Sequence, residues 1–234
     1  MIRPQARPAT LAPATQQGPD QATAQTAPQA RETRTETRAE RRARERAERR
    51  AGQQAATQAT KGGGLCGDPG LVGEAIGAVP GAGACGIASA VRLRAVSGVR
   101  LSTPATIDCG TAKALKRWVD RGLIPEAGQR GGGVAQLRVA ASYACRGRNN
   151  QRGARLSEHA QGRAIDISGI TFRDGSSVTV LGDWSSGRNG RLMKSLHRAA
   201  CGPFGTVLGP NSDRFHRDHF HFDTARHRSG PYCK

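Results

Sequence analysis

Six cysteines (Cys66, Cys85, Cys109, Cys145, Cys201 and Cys233) are spread from residue 66 to residue 233, and none lies before that stretch. No two form a CxxC pair, so neither a zinc knuckle nor a thioredoxin-like motif is available. An even number at wide spacing reads as three disulfides made in an oxidising compartment. Cross-links of that reach require one domain whose distant segments meet. Pairing in chain order is expected, as Cys66–Cys85, Cys109–Cys145 and Cys201–Cys233.

Residues 1–60 hold almost no large apolar side chains. Ala, Gln, Thr, Pro, Arg and Glu dominate, and they cannot bury enough apolar area to offset the entropy of ordering. The chain therefore divides near the run Lys61-Gly62-Gly63-Gly64. Residues 1–64 read as a disordered basic head and linker, and 65–234 as the folded domain. Within the head, Arg34, Arg38, Arg42, Arg46 and Arg50 recur every fourth position, with alanine as the only apolar type in 31–51. That pattern excludes a core helix and leaves a solvated helix or a disordered arm.

The formal net charge is +18, and the first 60 residues hold only 11 arginines against 6 acids, so the folded part is basic in its own right. A basic domain favours anionic partners. Aromatic residues make up 4% of the chain and do not interleave with basic clusters, which argues against a nucleic-acid binder. Acidic lipid and a polyanionic cell wall remain as partners for a chain expected to be a monomer, and charge alone does not choose between them. No run of about 18 apolar residues exists, so no membrane span is expected. MIRPQARPAT shows no apolar leader segment. The cysteines carry more weight, and export to the periplasm or cell envelope is expected.

Along the domain, residues 66–86 read as irregular, and 89–102 as short strands. A helix is expected from Pro104 to Arg121, ended by Gly122. Val134–Tyr143 alternates like a strand. Residues 163–169 and 177–182 read as strands around the turn Arg173-Asp174-Gly175-Ser176, and Asn189 as the cap of a helix running to Ala200. Residues 215–224 close the pattern as a strand.

Chemistry concentrates in two stretches, Ser157-Glu158-His159-Ala160-Gln161-Gly162-Arg163-Ala164-Ile165-Asp166 and Asp218-His219-Phe220-His221. A catalytic zinc takes three protein ligands, with imidazole and carboxylate as common donors. The first stretch offers His159 on a loop and Asp166 on the next strand. In the second, the two-residue period of a strand puts His219 and His221 on one face, with Phe220 and Phe222 turned into the core. His159, Asp166 and His221 are the expected zinc ligands, and His219 the general base. Spacing alone leaves the exchange of His219 and His221 open. Asp213, His216 and Asp218 crowd the same hairpin and are candidates to orient an imidazole. Ser157 is expected to cap its loop. His197 and His227 read as structural or exposed.

These stretches resemble the zinc D-alanyl-D-alanine peptidase superfamily, which includes the murein endopeptidases of the LAS type and the hedgehog signalling domain. Residues 65–234 resemble more closely the bacterial extensin-like C-terminal domain family, through CGDPG, TPATIDCGTAKAL, SYACRGR, SEHAQGRAIDISG, FGTVLGPNSD and FHRDHFHFD. The resemblance implies an α+β fold, with an antiparallel central sheet flanked by helices. It implies zinc-dependent hydrolysis of peptidoglycan peptides, with a histidine base as in the murein endopeptidases. It also implies an arginine upstream of His159 that binds substrate or steadies the oxyanion. Arg146 is that candidate, and Arg148 its nearest competitor. A non-catalytic, zinc-containing wall-binding domain is the alternative.

Overall fold

The computed structural model describes residues 63–234, together with Thr37–Glu40, Arg42, Ala43 and Arg46. In the head, Arg38, Ala39, Glu40, Arg42, Ala43 and Arg46 are helical and exposed, as the solvated-helix reading expects. Gly63 and Gly64 are placed as a turn and bend leading into Leu65, and apart from Thr37 the expected disorder of the rest of residues 1–62 lies outside the described residues. Among the described residues no helix is long and apolar enough to cross a membrane.

The folded unit is one nine-stranded sheet with helices: β1 (Leu71–Pro80), β2 (Gly86–Val96), β3 (Val99–Asp108), β4 (Val134–Ala141), β5 (Ala164–Phe172), β6 (Ser177–Thr179), β7 (Thr206–Leu208), β8 (Phe220–Asp223) and β9 (Tyr232–Cys233). Their order is β1-β2-β3-β4-β5-β8-β7-β9, with β6 also on β5. The α+β expectation holds, but the sheet is mixed rather than antiparallel. β3 runs parallel to β4, and β7 parallel to β9. A parallel pair needs a long crossover. Between β3 and β4 it is made by α1 (Cys109–Trp118), a π-turn (Val119–Leu123) and α2 (Ile124–Ala127). Two further helices follow, α3 (Val180–Asp183) and α4 (Gly187–Ala200).

Several expected boundaries move for identifiable reasons. Residues 71–80 form a strand despite their glycines, because a complete β2 partner lies alongside. The expected helix from Pro104 begins only at Cys109. Pro104 falls where the β2–β3 register jumps, a place that tolerates its missing N–H. The Asp108 carboxylate then caps α1 by accepting from Thr111 N at 2.7 Å. Gly122 does not end the helix. It lies inside the π-turn, where a Cβ would stand 2.8 Å from that of Ala199, so glycine serves close packing of the helices. Residues 180–183 are helical rather than strand, capped by Thr179 Oγ1 accepting from Gly182 N. Ser186, not Asn189, precedes α4, and the Asn189 amide donates instead to Asp183 at 2.6 Å. Of residues 215–224, only Phe220–Asp223 are strand, while Arg214–His216 form a 3-10 turn.

The core lies between one face of the sheet and helices α1 and α4. Trp118 meets Phe222 edge-on at 5.1 Å, and Phe222 stacks on Phe204 at 4.9 Å. Trp118 also donates Nε1–H to the Leu196 carbonyl at 2.9 Å, joining α1 to α4. Phe220 and Phe222 are buried as expected. Their alternation turns His221 and Asp223 to the opposite face of the sheet.

The disulfides are Cys66–Cys109, Cys85–Cys145 and Cys201–Cys233. Only the last follows the expected pairing. Cys66 precedes β1 and Cys85 follows it, and ten extended residues span about 33 Å, so these two cannot meet.

Candidate metal and active site

Asp166 on β5 and His221 on β8 are direct cross-strand partners in the register. Both project from the face opposite the core, as β5 turns Ile165 and Ile167 inward. His159 arrives from outside the sheet on the 3-10 turn Glu158–Gln161. Ser157 caps that turn as expected, accepting from His159 N at 3.4 Å. Gly162 ends it in the left-handed region at φ 68°, and a Cβ there would lie 2.3 Å from Ile87 Cδ1. Both conformation and space therefore demand glycine.

Hydrogen bonds fix how each imidazole points. His159 donates Nδ1–H to the Ser142 carbonyl at 2.6 Å, leaving Nε2 as an acceptor. That Nε2 stands 3.1 Å from both Asp166 Oδ1 and His221 Nδ1. His221 Nδ1 is 2.9 Å from Asp166 Oδ1, and its Nε2 is 3.2 Å from Asp223 Oδ2. Donor atoms held by zinc at its usual bond length stand roughly 3.3 Å apart on a tetrahedron. The three side chains thus match a zinc ligand set in type, spacing and second-sphere support. Two imidazole nitrogens and a carboxylate this close can hold a metal ion, and without one a proton on His221 Nδ1 serves the contacts to His159 and Asp166.

Electrostatics agree with this geometry. Burial opposes the ionised form of Asp166, but the His159 and His221 imidazoles beside it overcome that and hold the carboxyl far below the usual range. Burial likewise opposes the charged form of His221. Its bonds to Asp166 and Asp223 prevail and push it up to about 9. Asp223 is held low mainly by His221, against its own burial. The signs give a prediction for the metal-free protein. The contributions of Asp166 and Asp223 are present above about pH 4 and are lost as the pH falls further. That of His221 is complete below about pH 6.5 and is lost as the pH rises through about 9. With a chelator present, thermal melts should show greatest stability between about pH 4.5 and 6.5 and a decline to pH 9.5. With zinc, the alkaline decline should shrink, since binding removes the proton and strengthens as the pH rises.

His219 sits at the lip of the cluster. Its Nδ1 donates to Asp218 at 2.7 Å, and its Nε2 lies 3.7 Å from Asp166 Oδ2. The ring is therefore oriented by a carboxylate, with a free nitrogen aimed at the same point. His216 repeats the device, donating Nδ1–H to Asp213 at 2.7 Å, with its ring centroid 5.3 Å from that of His219. Burial lowers the pKa of His216 despite Asp213. His219, His216 and Asp213, with Arg146, Arg148 and Tyr232, line a cleft of about 480 Å³. Arg146 is half-buried, and Arg148 is exposed on the wall.

Six residues named from sequence (Arg146, Ser157, His159, Asp166, His219 and His221) therefore line one cleft. Among the described residues, the one group of three or more side chains with ligand atoms close enough for a metal is His159, Asp166 and His221. A family model described as extensin-like protein C-terminus matches residues 72–234. The chain belongs to that family. No curated protein and no solved structure matches it.

Two features of the extensin-like domain escaped sequence reading. Asp223, the partner of His221, carries a readable signal, since His-x-Asp on a strand puts both side chains on one face. The Ser142 carbonyl that orients His159 leaves none, because any residue can supply it. His197 proves structural, packed between Trp184 and Phe220 at 5.7 and 5.4 Å. His227 is exposed and bonds Thr206 Oγ1 at 3.0 Å.

Proposed function

We propose that the extensin-like domain is a zinc-dependent peptidase that hydrolyses amide bonds in peptidoglycan peptides, and that it belongs with the zinc D-alanyl-D-alanine peptidases and hedgehog-type folds. The observation that carries this is the convergence of His159 Nε2, His221 Nδ1 and the Asp166 carboxylate, with the free Nε2 of His219 beside them in an open cleft. His159, Asp166 and His221 would hold the ion. When bound, zinc supplies a Lewis acid and brings water ionisation near neutrality.

The remaining steps belong to the chain. His219 Nε2 takes the proton of the attacking water, while Asp218 stabilises the imidazolium through Nδ1. The same proton then passes to the leaving amine. Arg146, on the cleft wall, faces the charge that develops on the carbonyl oxygen. Three closed disulfides support a site of action outside the cytoplasm, in the periplasm or cell envelope.

Digestion of purified sacculi, with products read by mass, tests the reading. His219→Ala should lower the rate by about 10²–10⁴-fold while zinc content stays at one per chain. Loss of zinc from His219→Ala would exchange its role with that of His221. Zinc-loaded wild type that releases no peptide would leave a wall-binding domain in place of an enzyme.

A further inference from the structure

The sheet face that carries Asp166 and His221 continues beyond β5. On β4, β3 and β2, Leu137, Leu101 and Leu93 are buried on the core side. Their neighbours Arg138, Arg100, Arg92 and Arg94 are exposed on the other side, the side of the metal cluster. Arg138 lies opposite Gly169 on β5, and Arg100 lies opposite Gln136, two residues from Arg138 on β4. With strands about 4.8 Å apart, the arginines span roughly 10 Å from β4 to β2.

Charge on this face is not balanced. Glu74 pairs with both Arg94 at 2.9 Å and Arg92 at 3.4 Å. Among the described residues, Arg100 and Arg138 have no carboxylate within ion-pair distance. Like charges on neighbouring strands repel, and a face shaped for solubility alone mixes both signs. No aromatic residue occurs in β2, β3 or β4, so bases have nothing on which to stack.

We infer that the arginine-bearing face of β2–β4 is a docking surface for a carboxylate-bearing polymer, which it holds beside the cleft. The inference rests on the peptidase reading for the polymer's identity, peptidoglycan, whose stem peptides carry free carboxylates at intervals. The cleft handles the scissile bond, and the sheet face holds the flanking wall.

The test uses the full chain and the double variant Arg100→Glu with Arg138→Glu. The head arginines contribute equally to both, so the difference isolates the face. Co-sedimentation with sacculi should weaken by roughly tenfold, and the gap should narrow at about 0.5 M salt. Hydrolysis of a soluble muropeptide and zinc content should not change. The milder Arg100→Gln with Arg138→Gln, which keeps the stems of both side chains largely in place, should lose less in the same direction. It decides the matter if charge reversal prevents folding. Unchanged sedimentation of both variants overturns the inference, as does a wild-type preference for single-stranded DNA over sacculi. If wild type sediments but releases no peptide, the peptidase reading fails, and the docking face stands on the sedimentation difference alone.

Discussion

Asp166→Ala should purify folded but without zinc, and should digest sacculi about 10³-fold more slowly than the unaltered chain, or not at all. Asp166 is 3% exposed and, among the described residues, is the only carboxylate that both His159 Nε2 and His221 Nδ1 face. Its removal would take away one of the three proposed ligands and the negative charge that favours a dication between two imidazoles. It also removes one of the two carboxylates that raise His221, so that residue should titrate lower. Asp166→Asn separates shape from charge. It should still fold, less stably than wild type because the charge that favours His221 is gone, and its zinc affinity should collapse. Several kcal/mol of transition-state stabilisation by a Lewis acid corresponds to the predicted loss of rate. Metal content by mass spectrometry and product release from sacculi, measured on one preparation, check both parts.

Opening the Cys85–Cys145 link by replacing both residues with serine should cost about 4 kcal/mol of stability, from the chain entropy regained by a 60-residue loop. That is a fall in Tm of roughly 8–16 °C for a domain of this size. A second effect sets this bridge apart. Cys145 belongs to the segment that holds the His159 turn: Ser142 accepts from the imidazole, Ala144 N donates to the His159 carbonyl at 3.3 Å, and Ser157 N donates to the Arg146 carbonyl at 3.1 Å. Freed from Cys85, this segment should orient His159 less well, and zinc affinity should drop by about tenfold or more. Breaking Cys66–Cys109, which closes a 43-residue separation near the start of α1, should cost similar stability. It should leave zinc affinity of the folded protein unchanged. Calorimetry and zinc titration of the two variants make the comparison.

The site was more legible in the sequence than the fold around it. Metal-binding side chains must be particular residue types at particular spacings, and His219 and His221 stand two apart, although the strand begins only at Phe220 and His219 lies just before it. Asp166 and His159 announce themselves because Gly162 has to turn the chain between them. Strand β1 was hidden, since its glycines and alanines carry no periodic apolar signal, and only the β2 partner makes it a strand. The parallel pairing of β3 with β4 was equally hidden. It follows from where α1 packs, through contacts such as Trp118 on Phe222 that join residues 104 positions apart in the chain. The expected Cys66–Cys85 and Cys109–Cys145 pairs failed for the same reason, while Cys201–Cys233 held. Neighbours in sequence are not neighbours in space once a ten-residue strand runs between Cys66 and Cys85.

Anomalous diffraction at the zinc edge, from crystals of the zinc-loaded chain, addresses the ligand assignment without reference to activity. One peak per chain, bounded by His159 Nε2, His221 Nδ1 and the Asp166 carboxylate, is the expected result. A peak elsewhere, or none in crystals of protein carrying one zinc per chain in solution, would contradict it.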